Sequence, residues 1–369
     1  MSVATTTRYE PLILRHPANP ILSSKDWPYS INSVFNAGAT LLADGTTLLL
    51  CRVEDRRGLS HLCAARSRNG VDGWKIDSEP TLMPSPNEYP EEIWGIEDPR
   101  ITFVPELQQY VVTYTSYSRG GPGVSLALTK DFRSFERYGV IMPPDDKDTA
   151  LLPRRIDGYW ALIHRPMTTL GAHMWISYSP DLRHWGRHRL MLEARRGAWW
   201  DANKIGLSPP PIETSRGWLV LYHGVRHTPS GCLYRLGLAL FDLEKPEKCL
   251  LRGDSWIFGP EAEYERRGDV DDVVFPCGYT MNPDGDTVND SPPLAGRRSA
   301  WSTSWSEAGP WSHLCSFSWC LCARRTMRTC WYTVRRRWCR PFSSRWLSPD
   351  TAAKGPGGST PSSTGCCFR

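Results

Sequence analysis

The sequence predicts an all-β chain built as a β-propeller, and three observations carry that expectation. The composition is the first: 369 residues with 31 Pro, 30 Gly, 17 Trp, 14 Tyr and 10 Phe favour short strands and turns and exclude helical bundles and coiled coils. The second is a repeated unit with a spacing of 50 to 60 residues. The third is an apolar, β-rich run before each copy of that unit, as a strand buried between neighbouring sheets requires. A share of 40% hydrophobic and 22% charged residues provides a large core and excludes a disordered chain.

The unit is a strand ending in small or hydroxylated residues, then an acidic turn, then an aromatic. It appears as Ala64-Ala65-Arg66-Ser67 with Asp72-Gly73-Trp74, and again as Leu126-Ala127-Leu128-Thr129 with Asp131-Phe132 and Phe135. It returns as Ile176-Ser177-Tyr178-Ser179 with Asp181-Leu182 and Trp185, and more loosely as Leu238-Ala239-Leu240-Phe241 with Asp242-Leu243. The preceding strands are 47–53, 110–117, 159–164 and 218–223. Four short strands per unit make a propeller blade, whose inner strands aim polar side chains at a central funnel. Four blades are visible, and the place of a fifth falls on a stretch of different character.

That stretch begins after Asn289. Residues 290–369 hold 12 of the 44 Lys and Arg but only three of the 39 Asp and Glu, together with seven of the 12 Cys and seven of the 17 Trp. The formal charge of +5 therefore resides in the tail, and the body is acidic, which confines any nucleic-acid reading to the tail. Segments such as Arg335-Arg336-Arg337-Trp338-Cys339-Arg340 show neither strand alternation nor a helical stripe. A basic RNA-binding tail, a zinc-binding tail and an out-of-frame translation of GC-rich DNA compete. Zinc is disfavoured because Cys320 and Cys322 lie two apart with only His313 nearby. Enrichment in Arg, Trp, Ser, Cys, Pro and Gly favours the frame slip, so two regions are expected: an incomplete catalytic propeller over 1–289 and a tail over 290–369 that does not fold natively. The start of the chain lacks a basic segment leading into an apolar run, and no window approaches the roughly 18 apolar residues of a membrane span. A cytoplasmic protein is expected.

The sharpest local signal is Trp94-Gly95-Ile96-Glu97-Asp98-Pro99-Arg100. Adjacent Glu97 and Asp98 point to opposite sides of an extended backbone, so at most one is expected to face a site. Either the segment is a turn with Arg100 pairing Glu97, or it holds a carboxyl group at the funnel as a general acid. Basic groups recur at the ends of inner strands in successive units: Arg52, His164-Arg165, Asn203-Lys204 and Tyr222-His223. Radial geometry makes such ends converge, and converging Arg, Lys and His form an anion site suited to phosphate oxygens. Trp94, Trp199, Trp200 and Tyr234 are candidates for stacking on sugar faces, with core packing the alternative for each.

Taken together and in order, Asn36-Ala37-Gly38-Ala39, Cys51-Arg52-Val53-Glu54-Asp55-Arg56, Gly95 to Arg100, His164-Arg165-Pro166, Asn203-Lys204-Ile205-Gly206, Tyr222-His223-Gly224-Val225 and Val274-Phe275-Pro276-Cys277-Gly278 resemble glycoside hydrolase family 130. The resemblance spans about residues 15–289. It implies a five-bladed propeller and an inverting β-mannoside phosphorylase that needs no cofactor or metal, inorganic phosphate being a co-substrate. It implies Asp98 as the catalytic acid, protonating the glycosidic oxygen through the 3-hydroxyl of the mannosyl unit. It implies Arg165, Lys204, His223 and Tyr234 as the phosphate cradle, with Lys147 a further candidate, and Asn36 and Arg52 as mannosyl contacts. An inverting hydrolase needs a second carboxylate to activate water, whereas phosphate arrives already anionic. The expected partners are a β-mannoside oligosaccharide and phosphate, with no nucleic acid or membrane, and self-association is left open. A glycosidase of the same fold, a non-catalytic sugar-binding propeller and an inactive frame-shifted product are the alternatives.

After Val288 the family continues with a strand reading roughly Tyr-Tyr-Gly-Ala-Ala-Asp, which is absent here. A frame slip predicts that one of the other two reading frames beyond codon 289 encodes that strand and an ordinary acidic segment. Sequencing the coding DNA checks it, and frames riddled with stop codons overturn it.

Overall fold

The computed structural model describes residues 12–267, 271–281, 318–323 and 328–334. Four blades follow one another along the chain, each a run of antiparallel strands. The first comprises Ser33–Leu41, Thr47–Glu54, Ser60–Ser67 and Lys75–Ile76. The second comprises Ile96–Val104, Gln109–Ser118, Gly121–Thr129 and Glu136–Met142. The third is Asp146–Leu151, Trp160–Thr168, Met174–Ser179 and Gly186–Leu192. The fourth is Lys204–Leu207, Gly217–Thr228, Gly231–Phe241 and Cys249–Arg252. The short strand Gly171–Ala172 joins the third and fourth blades into one sheet, Ala172 pairing in parallel with Lys204.

A fifth sheet is ordered Ile13–Arg15, Arg328–Val334, Ser318–Ala323, Gly278–Thr280, with Leu22–Ser23 also paired to Arg328–Val334. Two of its strands come from the stretch of anomalous composition, and chain segments from both ends of the sequence meet in it. The rest of 290–369, where a tail that does not fold natively is expected, lies outside the described residues, as do residues 1–11.

The second strand of each blade is buried over most of its length because both of its faces are covered. In Thr47–Glu54, Leu48 and Leu50 join Leu62, Ala64, Ile96, Ile101 and Val112 between the first and second blades. The alternate residues Leu49, Cys51 and Val53 join Val34, Ala39, Cys63 and Trp27 on the opposite face. Val111, Leu126 and Leu128 pack on Leu151, Trp160 and Leu162 between the second and third blades. Ile163, Met174 and Ile176 meet Ile205, Trp218 and Val220 between the third and fourth, and Leu219, Leu236 and Leu238 meet Ile13 and Val274 beyond the fourth. Each fully buried Leu, Ile or Val contributes about 1.5–3 kcal/mol, so the inter-blade faces are the core.

The repeated acidic turn joins the third and fourth strands of a blade. The Asp131 carboxylate accepts from the backbone N–H groups of Arg133 and Ser134, Asp181 from those of Arg183 and His184, and Asp242 from those of Glu244 and Lys245. A short carboxylate replaces the missing ladder partners of the turn, which explains the recurrence of Asp there. In the first blade Asn69, not Asp72, fills this place, accepting from Val71 and Asp72. The aromatic closes the turn from its own side: Trp74 Nε1 donates to Val71 O and Trp185 Nε1 to Leu182 O.

Tyr29 hydroxyl lies 2.9 Å from His61 Nε2, and His61 is 6% exposed. Burial pulls the His61 pKa down to about 4, against a smaller upward pull from Asp55. The unfolded chain takes up this proton below about pH 6.5 and the folded chain does not. Its stabilisation is therefore complete above pH 6.5 and declines as pH falls towards 4. Urea unfolding of His61→Gln, which retains an acceptor for Tyr29, is expected to show a shallower decline over that window. An unchanged slope would rule out a neutral buried His61.

Candidate active site

Three β-bulges build the site. In the first three blades the inner strand carries one extra residue against its neighbour, between Phe35 and Gly38, between Glu97 and Arg100, and between Lys147 and Ala150. At each bulge one residue has left-handed backbone: Asn36 (φ 46°), Asp98 (φ 51°) and Asp148 (φ 57°). A bulge re-aims side chains and breaks the alternation of a regular strand. Each therefore brings two consecutive residues, Phe35-Asn36, Glu97-Asp98 and Lys147-Asp148, to the same cavity of about 260 Å³. Arg52, Arg165, Lys204, His223, Tyr234, Val273 and Phe275 complete its lining.

All eight residues singled out in the sequence, Asn36, Arg52, Asp98, Lys147, Arg165, Lys204, His223 and Tyr234, line this one cavity. Three details differ from expectation. Glu97 faces the cavity together with Asp98, because the bulge turns both to one side. Glu97 pairs with Arg52, not with Arg100. Finally, Arg52, Arg165 and His223 lie on the second strands of their blades, and only Lys204 of this cationic set opens an inner strand.

Asp98 is 5% exposed, and its Oδ1 accepts from Asn36 Nδ2 at 2.8 Å and Arg52 Nη1 at 3.0 Å. Oδ2 is thus the oxygen available to carry a proton. Arg52 is fixed on all sides: Nη2 reaches Glu97 Oε1 at 2.8 Å, Nε reaches Ser60 Oγ at 2.9 Å, and its guanidinium lies over the Phe35 ring. Burial raises the Asp98 pKa, but Arg52, Lys147, Asn36 and Arg100 together outweigh it and hold the carboxyl below its ordinary value.

Across the cavity Arg165 grips Asp148 Oδ2 through Nε at 3.0 Å and Nη2 at 2.8 Å. His223 packs against Phe275 at 4.6 Å between ring centroids, and burial lowers its pKa against the opposing pull of Asp148. Lys204 Nζ lies 5.6 Å from the centre of the Tyr234 ring, and burial followed by repulsion from Arg165 lowers its pKa. Among the described residues, neither Lys147 nor Lys204 has a carboxylate within ion-pair distance. Two half-buried lysines beside an arginine make a place for an anion.

The stacking candidates separate. Tyr234 lines the cavity; Trp200 is buried and stacked on Tyr222; Trp94 and Trp199 are exposed, the first edge-on to Tyr117 and the second beneath Arg195. His164 faces away from the cavity and binds Asp146 and Ser177. Phe275 stood in a motif of the resemblance without a role, and Asp148 and Phe35 escaped the sequence reading. Their one available signal was adjacency to chosen residues, Asp148 to Lys147 and Phe35 to Asn36. No group of three or more His, Cys, Asp or Glu able to hold a metal occurs among the described residues, and none of their helices is long and apolar enough to cross a membrane.

The family model described as β-1,4-mannooligosaccharide phosphorylase matches residues 15–288, which contain the whole cavity lining. The chain belongs to glycoside hydrolase family 130. Among family members, a β-1,4-mannooligosaccharide phosphorylase of Ruminococcus albus is 33% identical over 281 residues, 74% of this chain and 82% of that protein. A β-1,2-mannobiose phosphorylase of Listeria innocua is 39% identical over 233 residues, covering 63% of this chain and 62% of its own length. The solved structure of a Listeria innocua β-1,2-mannobiose phosphorylase in complex with β-1,2-mannobiose superposes with a TM-score of 0.70 at 27% identity. That match covers 88% of this chain and 96% of the other, and the family's five-bladed propeller is the fold of this chain.

Proposed function

We propose that this family 130 chain is a β-mannoside phosphorylase of the glycosyl-transferring kind. In the reaction, a phosphate oxygen bonds to the mannosyl anomeric carbon as the glycosidic C–O bond breaks, with inversion to α-mannose 1-phosphate. The proton from Asp98 goes to the departing oxygen of the shortened acceptor. Asn36 and Arg52 hold the mannosyl ring and the unprotonated oxygen of Asp98. Lys147, Arg165, Lys204, His223 and Tyr234 hold phosphate on the opposite face. No cofactor takes part, and the reaction is assigned to the cytoplasm. The machinery lies within 1–289, and the region 290–369 supplies none of the described cavity residues.

The observation that carries this reading is the charge arrangement. Of the three carboxylates in the cavity, Glu97 is locked by Arg52 and Asp148 by Arg165, which leaves neither as a base for water. Two lysines without carboxylate partners among the described residues stand where a nucleophile must enter, which suits an anion and not an uncharged water. Lys147 also helps keep Asp98 ionised. Phosphate bound to that lysine weakens its pull, so the acid gains its proton as the nucleophile arrives.

The test is product analysis with a β-1,4- or β-1,2-mannobiose. Mannose 1-phosphate is expected in phosphate buffer and almost no turnover without phosphate, and Arg165→Ala is expected mainly to raise the Michaelis constant for phosphate. Equal release of free mannose in both buffers would identify a hydrolase.

A further inference from the structure

Asp148 is a buried carboxylate, 1% exposed, on the left-handed residue of the third bulge. It occupies the place in its blade that Asp98 occupies in the preceding one. Its Oδ2 takes the Nε and Nη2 edge of Arg165, and His223 Nε2 lies 3.5 Å from the same oxygen. Arg100 Nη2 lies 3.5 Å from Oδ1, which has no hydrogen-bond partner among the described residues. Burial raises the Asp148 pKa, but Arg165, His223 and Arg100 outweigh it and keep the group ionised.

We propose, on the phosphorylase reading, that Asp148 is the positioning residue of the phosphate site, acting through Arg165 and His223 without touching either substrate. A guanidinium at the end of a flexible stem carries rotamer entropy that anion binding otherwise removes. Asp148 fixes one edge of Arg165 in advance. The remaining nitrogen, Nη1, lies 3.0 Å from the Met167 thioether, a weak acceptor that phosphate displaces. The same carboxylate lies 3.5 Å from His223 Nε2 and holds the imidazole in place beside the site. Asp148 lines the cavity, but its side chain is 1% exposed and faces Arg165, His223 and Arg100, so it acts through them.

Space for this arrangement comes from Gly206. A Cβ there would collide with Asp148 Oδ2 and stand 2.6 Å from His223 Cε1. Any side chain at 206 pushes the carboxylate and the imidazole apart while leaving every charge in place.

The experiment is calorimetric titration of the full chain and its variants with inorganic phosphate, alongside steady-state kinetics. Asp148→Asn is expected to weaken phosphate binding at least tenfold and to raise the Michaelis constant for phosphate in parallel, with that for the mannoside within twofold of the unsubstituted value. In the Arg165→Ala background, Asp148→Asn is expected to add little, because residues acting as one unit are not additive. Gly206→Ala is expected to reproduce the weakening and serves if Asp148→Asn does not fold. Phosphate affinity unchanged in Asp148→Asn or Gly206→Ala, or losses that multiply in the double variant, overturn the proposal. Absence of phosphate binding by the unsubstituted chain overturns the phosphorylase reading itself, and this inference with it.

Discussion

Asp98→Asn is expected to leave the propeller folded and to lower turnover by about 10² to 10⁴-fold, the range lost with a positioned general acid. The substitution is isosteric. Its Oδ1 still accepts from Asn36 Nδ2, and Arg52 keeps Glu97 and Ser60. What disappears is the proton on the second oxygen, so the loss should fall on kcat, with the Michaelis constant for phosphate little changed. Glu97→Gln is the control, since it faces the same cavity from the neighbouring position. Its effect should be smaller, because Glu97 restrains Arg52 and is itself engaged by it. Activity abolished in Glu97→Gln and largely retained in Asp98→Asn would reverse the two roles.

The second large effect is on stability. Arg100→Met is expected to destabilise the fold by about 3–5 kcal/mol, the cost of breaking a buried charge network by removing one partner. Arg100 is 1% exposed and belongs to the second blade, yet its Nη2 donates to Leu207 O at 2.8 Å and its Nε to Ser208 O, both in the fourth. It also stands 3.5 Å from Asp148 in the third blade and lies over the Phe275 ring. One guanidinium thus ties three blades together beneath the cavity. Methionine fills most of the volume and supplies no donor, so two buried carbonyls lose their partner and Asp148 loses one of its counter-charges. Urea unfolding measures the difference. A loss below about 1 kcal/mol would mean that water or another group satisfies those carbonyls, since surface-like substitutions fall in that range.

Arg100 illustrates what a linear sequence withholds. The turn reading paired it with Glu97, three residues away, whereas its two shortest hydrogen bonds go to carbonyls 107 and 108 residues further along the chain. The acidic turns, in contrast, were legible as they stood. Asp131, Asp181 and Asp242 act within three residues of themselves, and local hydrogen bonding leaves a local mark. The first blade is the exception, where Asn69 performs the task that Asp72 was expected to perform.

The propeller class was legible in the chain, because strands covered on both faces need apolar residues in succession and the turns between them need short acidic side chains. The cationic cluster was legible in the same way, since basic residues at recurring strand ends converge when the blades are arranged around an axis, whereas Asp98 was singled out by the family resemblance, the residues alone leaving a turn or Glu97 open. That Glu97 and Asp98 share a side, and that Asp148 joins them, follows from the folded sheet alone. The reason is the same in three blades: one inserted residue with left-handed backbone breaks the period of two on which any reading of strand faces depends. A bulge is fixed by pairing with the neighbouring strand, and that pairing is a property of the folded sheet.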